Sequence, residues 1–213
     1  MVRKCARSRI FVISAVLLTA APAHAQKPPT RDVSRDLSLL GFTLEKNTLA
    51  DVENKLGPST PGSCSQEVEA SKAICYISEG PSKVRVFFES GPSGGWSRLD
   101  GFRVVSEGAP ACRLQCKNTT AFSSDIQTGG GLRLGLSKSE SVVLLGPPSK
   151  ISGNRLTFEW WSKRPMTKAE IDKEAQTFKA PVTSPYWDVH DTIEVTLSNS
   201  KVAEFEVHHT VTY

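Results

Sequence analysis

Thr48-Leu49-Ala50-Asp51-Val52-Glu53-Asn54-Lys55-Leu56-Gly57-Pro58 returns 89 residues later as Ser137-Lys138-Ser139-Glu140-Ser141-Val142-Val143-Leu144-Leu145-Gly146-Pro147. Both copies read [ST]-x-x-[DE]-x-x-x-x-L-G-P, and each spells one complete short helix. The Thr or Ser is an N-cap whose hydroxyl oxygen accepts from the N3 backbone N–H. The acidic residue at N3 answers the cap and meets the positive helix end. Glycine supplies a left-handed residue after the last turn, and proline forbids another. In the first copy Leu49, Val52 and Leu56 share a face. In the second, Ser141 stands where Val52 stood, which leaves the packing to Val142 and Leu145. Self-similarity of this kind predicts two copies of one supersecondary unit.

Strand patterns follow each helix. After the first come residues 73–77, 83–89 and 99–105, with Val84, Val86 and Phe88 alternating against Arg85, Phe87 and Glu89. After the second come residues 155–161, 192–197 and 202–211, and Ser198-Asn199-Ser200 reads as a tight hairpin turn. Alternation implies one buried and one wet face. The predicted fold is α+β: two tandem repeats side by side, each with short helices on an antiparallel three-stranded sheet, the two sheets separate or joined. The boundaries are 26–107 for the first repeat, 108–131 for a connector and 132–213 for the second. An insertion at about 164–185 opens with another capping box, Thr167-x-x-Glu170, and predicts a short extra helix.

Residues 1–25 are set aside as a signal peptide. Arg3, Lys4, Arg7 and Arg9 precede the apolar run Ile10 to Ala21, and Ala23-His24-Ala25 predicts cleavage after Ala25. The segment carries four of the 26 basic residues, which leaves 22 of each sign and no net charge. Nucleic acid is therefore not an expected partner. Cys5 precedes the apolar run, so no lipid anchor is expected and the mature protein should be soluble in the periplasm or secreted. Cys64, Cys75, Cys112 and Cys116 then read as two disulfides in an oxidising compartment. Three connectivities are open, and local pairing is the simplest. The spacings lack the C-x-x-C knuckles of a four-thiolate zinc site.

The helix-ending L-G-P motifs and the strands after them resemble the family of the bacterial beta-lactamase inhibitor protein and the lipoprotein BamE. The resemblance covers roughly residues 40–105 and 132–213. It implies a curved sheet in each repeat and a disulfide between Cys64 and Cys75. The second repeat has no cysteine after Gly146. The inhibitor's target-contacting residues do not map onto this chain, so that activity is not carried over.

Catalytic signatures are weak. Gly91-Pro92-Ser93-Gly94-Gly95 fits G-x-S-x-G but lies between two strands, not between a strand and a helix. Ser198-x-x-Lys201 falls in a hairpin turn. His208 and His209 are adjacent on a strand and point to opposite faces, so they cannot share an ion; His209 is in phase with the apolar face. His190 beside Asp191 could orient a base or ligate a metal. No metal or cofactor motif is complete, and none is expected. Aromatics out of phase with the core remain: Phe87 and Trp161 on strands, and Trp96, Tyr186 and Trp187 in loop-like segments. Together with Arg85 and Glu159 they suit a patch for a periplasmic or envelope protein. The reading is a non-catalytic protein-binding module, inhibitor-like or an envelope accessory factor. The alternatives are a small hydrolytic or metal-dependent enzyme around His190 and Asp191, and a structural envelope component.

Overall fold

All three capping boxes form. Thr48 Oγ1 accepts the Asp51 N–H at 3.1 Å, and Asp51 Oδ2 accepts the Thr48 N–H at 2.8 Å, starting α1 (Leu49–Leu56). Ser137 with Glu140 starts α2 (Lys138–Leu145), and Thr167 with Glu170 starts α3 (Lys168–Phe178). This computed structural model describes residues 32–63, 71–92, 97–108 and 114–212. The helix ends differ from expectation. Gly57 (φ 87°, ψ 161°) and Gly146 (φ 89°, ψ −172°) combine positive φ with extended ψ. That region is not left-handed helix, and in practice only glycine enters it. The packing of α2 differs too: Ser141 and Leu145 are buried, while Val142 is half-buried and Val143 is exposed. Ser141 tolerates burial because its Oγ donates to the Ser137 carbonyl at 3.0 Å.

A 3-10 turn, Val33–Leu37, leads into a small hairpin of β1 (Ser38–Leu39) and β2 (Phe42–Thr43). The remaining strands are β3 (Lys72–Ser78), β4 (Val84–Ser90), β5 (Gly101–Ser106), β6 (Lys117–Thr119), β7 (Lys150–Ser152), β8 (Arg155–Pro165), β9 (Tyr186–Ser198) and β10 (Lys201–Thr212). They form one eight-stranded sheet in the order β6-β3-β4-β5-β10-β9-β8-β7. Only β6 against β3 is parallel; the other neighbours are antiparallel. The fold is thus α+β, with one large mixed sheet of eight strands and not two distinct three-stranded ones. The β3-β4-β5 meander joins β8-β9-β10 through its last strand, with Arg103 opposite Glu206. Residues Arg31–Tyr213 make one compact unit. The extra helix α3 sits at the tip of the β8–β9 hairpin, beyond the Pro165–Tyr186 pair. Asn199 (φ 50°) and Ser200 (φ 63°) turn β9 into β10, as a two-residue hairpin of matching twist requires.

One face of the sheet, the inner face, carries the main core. Ile74, Tyr76, Val86, Phe88, Phe102, Val104, Phe158, Ile193, Val195, Phe205 and Val207 meet Val52 and Leu56 of α1, Leu145 of α2, and Phe42, Leu132 and Leu136 from loops and the small hairpin. Phe42 and Phe88 pack edge to face at 5.5 Å. Tyr76 Oη donates to the Gly57 carbonyl at 2.7 Å, tying the end of α1 to the sheet. Burial pushes this phenol up to about 12.

The outer face is covered in the first half, not wet. Cys75, Phe87 and Val105 are buried beneath Leu114 and Cys116 of the connector. The parallel pairing of β6 with β3 sets Lys117 beside Tyr76, so the preceding cysteine arrives beside Cys75. Cys75 and Cys116 form a disulfide with Cα atoms 4.4 Å apart. The expected local pairs are therefore corrected: Cys75 is not bonded to Cys64, nor Cys116 to Cys112. Cys64 and Cys112 lie outside the described residues, as do the expected signal segment and Ser93 of the G-x-S-x-G match. Among the described residues no helix is long and apolar enough to cross a membrane.

Candidate functional site

The outer face of the second half stays open, and strand register composes it. Along β8 and β9 the cross-strand pairs are Arg155–Thr196, Thr157–Glu194, Glu159–Thr192, Trp161–His190, Lys163–Asp188 and Pro165–Tyr186. Trp161 is 70 % exposed and Tyr186 46 %. The Trp161 indole lies flat on the His190 imidazole, with centroids 3.7 Å apart and planes 8° from parallel. A single exposed tryptophan is ordinary; one braced by a stacked ring is already ordered for contact. Glu159 Oε1 and Thr192 Oγ1 both approach His190 Nε2, at 3.5 and 3.3 Å. Arg155 bonds Glu194 at 3.0 Å, and Lys163 pairs Asp188 at 3.4 Å. The result is an aromatic centre rimmed by paired charges.

The expected patch residues divide. Trp161, Glu159 and Tyr186 share this open face. Arg85 is on the outer face of the covered half and is partly buried. Phe87 is wholly buried against Cys75 and Val105, so its ring is unavailable to a partner; the connector claims it. Trp187 is in register with Arg164, in phase with the core side, and its indole N–H donates to Glu170 Oε1 at 3.2 Å. Trp96 lies outside the described residues.

His190 and Asp191 are not brought together. Adjacent on β9, they point to opposite faces. Asp191 is buried on the inner side and bonds His209 Nδ1 at 2.6 Å, while His209 Nε2 meets Glu45 Oε2 at 3.3 Å. Arg164 extends the network, 3.7 Å from Glu45 and 3.0 Å from Glu170. The Arg164 guanidinium and the Thr167 cap hold Glu170 down at about 2. Burial opposes charge on His209, but its two carboxylates outweigh that and raise it to about 9. The hydrogen bond from His209 lowers Glu45 in turn.

A second polar group was not foreseen. Glu89, Arg103, Glu204, Glu206 and His208 meet on the outer face where β4, β5 and β10 run side by side. Arg103 Nη2 bonds Glu206 Oε2 at 2.7 Å, and His208 Nε2 meets Glu206 Oε1 at 2.5 Å. Burial disfavours ionised Glu206, but His208 and Arg103 reverse that and bring it to about 2. Burial raises Glu89 and Glu204. Alternation alone places Glu204, Glu206 and His208 together on β10. The β5–β10 register adds Arg103 and the β4–β5 register adds Glu89, and no local signal carries either register.

No family model matches this chain, and no curated protein or solved structure is significantly similar to it.

Proposed function

We propose that the protein is an exported, non-catalytic binding module that docks a periplasmic or envelope protein on the open outer face of β8 and β9. The single observation behind this reading is the braced Trp161 ring, 70 % exposed and stacked on His190 at 3.7 Å. Tryptophan anchors ringed by polar residues dominate protein interfaces. The paired charges around it suit a rim. Export rests on the basic and apolar order of residues 1–25, and an oxidising destination accords with the Cys75–Cys116 bond.

We also read the two halves as tandem repeats of the kind found in the beta-lactamase inhibitor protein and BamE family. Equivalent capped helices, each followed by a meander, support this. The β3-β4-β5 and β8-β9-β10 orders run toward each other and meet at β5–β10.

Affinity capture from periplasmic extract tests docking, with the wild type and a Trp161→Ala/Tyr186→Ala variant of equal thermal stability. A protein retained by the first and lost by the second is the expected result. No retained protein, or equal retention by both, overturns the reading.

A further inference from the structure

We propose that Glu89, Glu206 and His208 form a site for one divalent transition-metal ion, Zn2+ by donor chemistry, opening onto the outer sheet face. The proposal stands apart from the docking face around Trp161. A carboxylate oxygen of Glu89, one of Glu206 and a ring nitrogen of His208 lie within 4.8 Å of one another. Two carboxylates and an imidazole suit Zn2+, and three protein ligands leave a fourth position for water or a partner's side chain.

A second observation is independent of that spacing. Glu89 is only 6 % exposed, and its Oε1 has no hydrogen-bond partner among the described residues. A buried, unpartnered carboxylate oxygen is costly, and a bound cation would satisfy it.

The supporting shell is also built. Arg103 holds Glu206 Oε2 at 2.7 Å, which orients Oε1 toward His208 Nε2 at 2.5 Å. Ligating carboxylates are held in this way by outer partners. An ion entering between these two atoms takes the place of the proton they share, which leaves to solvent. The atoms must part by roughly 1 Å, because ligands about 2 Å from a tetrahedral ion sit about 3.3 Å apart. Gly101, opposite His208 on β5, permits the ring's position: a Cβ there would come within 2.6 Å of His208 Nδ1. Glu204 and Asp100 add negative charge nearby, and Arg103 is the facing cation.

The test titrates chelator-stripped protein, without reductant, with Zn2+ by calorimetry and Co2+ by visible absorption. One ion per chain is expected. Glu89→Gln, which keeps the shape of the side chain, and His208→Gln should each weaken binding at least about tenfold and abolish the Co2+ ligand-field band. His190→Gln should bind as the wild type does. Absence of stoichiometric binding to the wild type overturns the proposal, as does full affinity in Glu89→Gln. In the wild type alone, Zn2+ should shift the His208 ring resonances in NMR spectra. Unmoved His208 signals contradict the site without any variant.

Discussion

Phe87→Ala measures how the outer face is divided. Phe87 is wholly buried, packed with Cys75 and Val105 under Leu114 and Cys116. Truncation removes most of a ring from a site that is 0 % exposed. Buried Phe→Ala changes cost about 3–5 kcal/mol, the transfer term plus the cavity left behind. The low end applies here, because the cluster is small and its cover is a loop that can settle into the space. About 3 kcal/mol corresponds to a fall in Tm of roughly 6–12 °C for a chain of this size. Urea unfolding of Phe87→Ala beside Trp161→Ala provides the assay. Trp161, 70 % exposed, should cost within about 1 kcal/mol, most of it the lost stacking on His190. A Phe87→Ala loss below about 1 kcal/mol would refute the covered half-face, and with it the location of the open one.

Other outcomes follow from single contacts. Non-reducing peptide mapping should recover Cys75 linked to Cys116; a Cys64–Cys75 peptide would contradict the sheet edge made by β6. His209, raised to about 9 by Asp191 and Glu45 against the opposing effect of burial, stabilises most below its unfolded value of about 6.5 and loses this as pH rises through 9. Wild type should therefore exceed His209→Gln by up to about 3 kcal/mol at pH 6 and lose that margin by pH 10; an equal margin at both pH values contradicts the network. Gly146→Ala meets no atom of the described residues within 4 Å but forces alanine to φ 89°. It should cost about 1–3 kcal/mol in denaturant unfolding from backbone strain alone, and a neutral result would place the helix end elsewhere.

The local elements were legible because their signals are local. Capping boxes at Thr48, Ser137 and Thr167 name the helix starts, and alternation in Val84–Glu89 and Thr192–Leu197 names strands. Long-range pairing was not legible. Nothing near Lys117 announces that it will lie parallel to Tyr76, yet that one register covers Phe87 and pairs Cys75 with Cys116. Phase against the local core marks a residue as outward-facing, but it cannot tell an open face from a covered one. The same gap hid the Glu89–Arg103–Glu206–His208 group, whose members come from three strands spread over 120 residues. It separated His190 from Asp191 as well: neighbours in sequence, they serve opposite faces, and His209 supplies the partner that Asp191 lacked.

Site-specific photocrosslinking tests the docking face most directly. A photoreactive phenylalanine analogue is placed at position 161 on the open face, and in a second protein at position 143 on the exposed side of α2. Both are irradiated in intact cells. The account predicts one discrete adduct from position 161, lost when excess wild-type protein competes, and none from position 143. An adduct from position 143 alone, or none from either position, would contradict it.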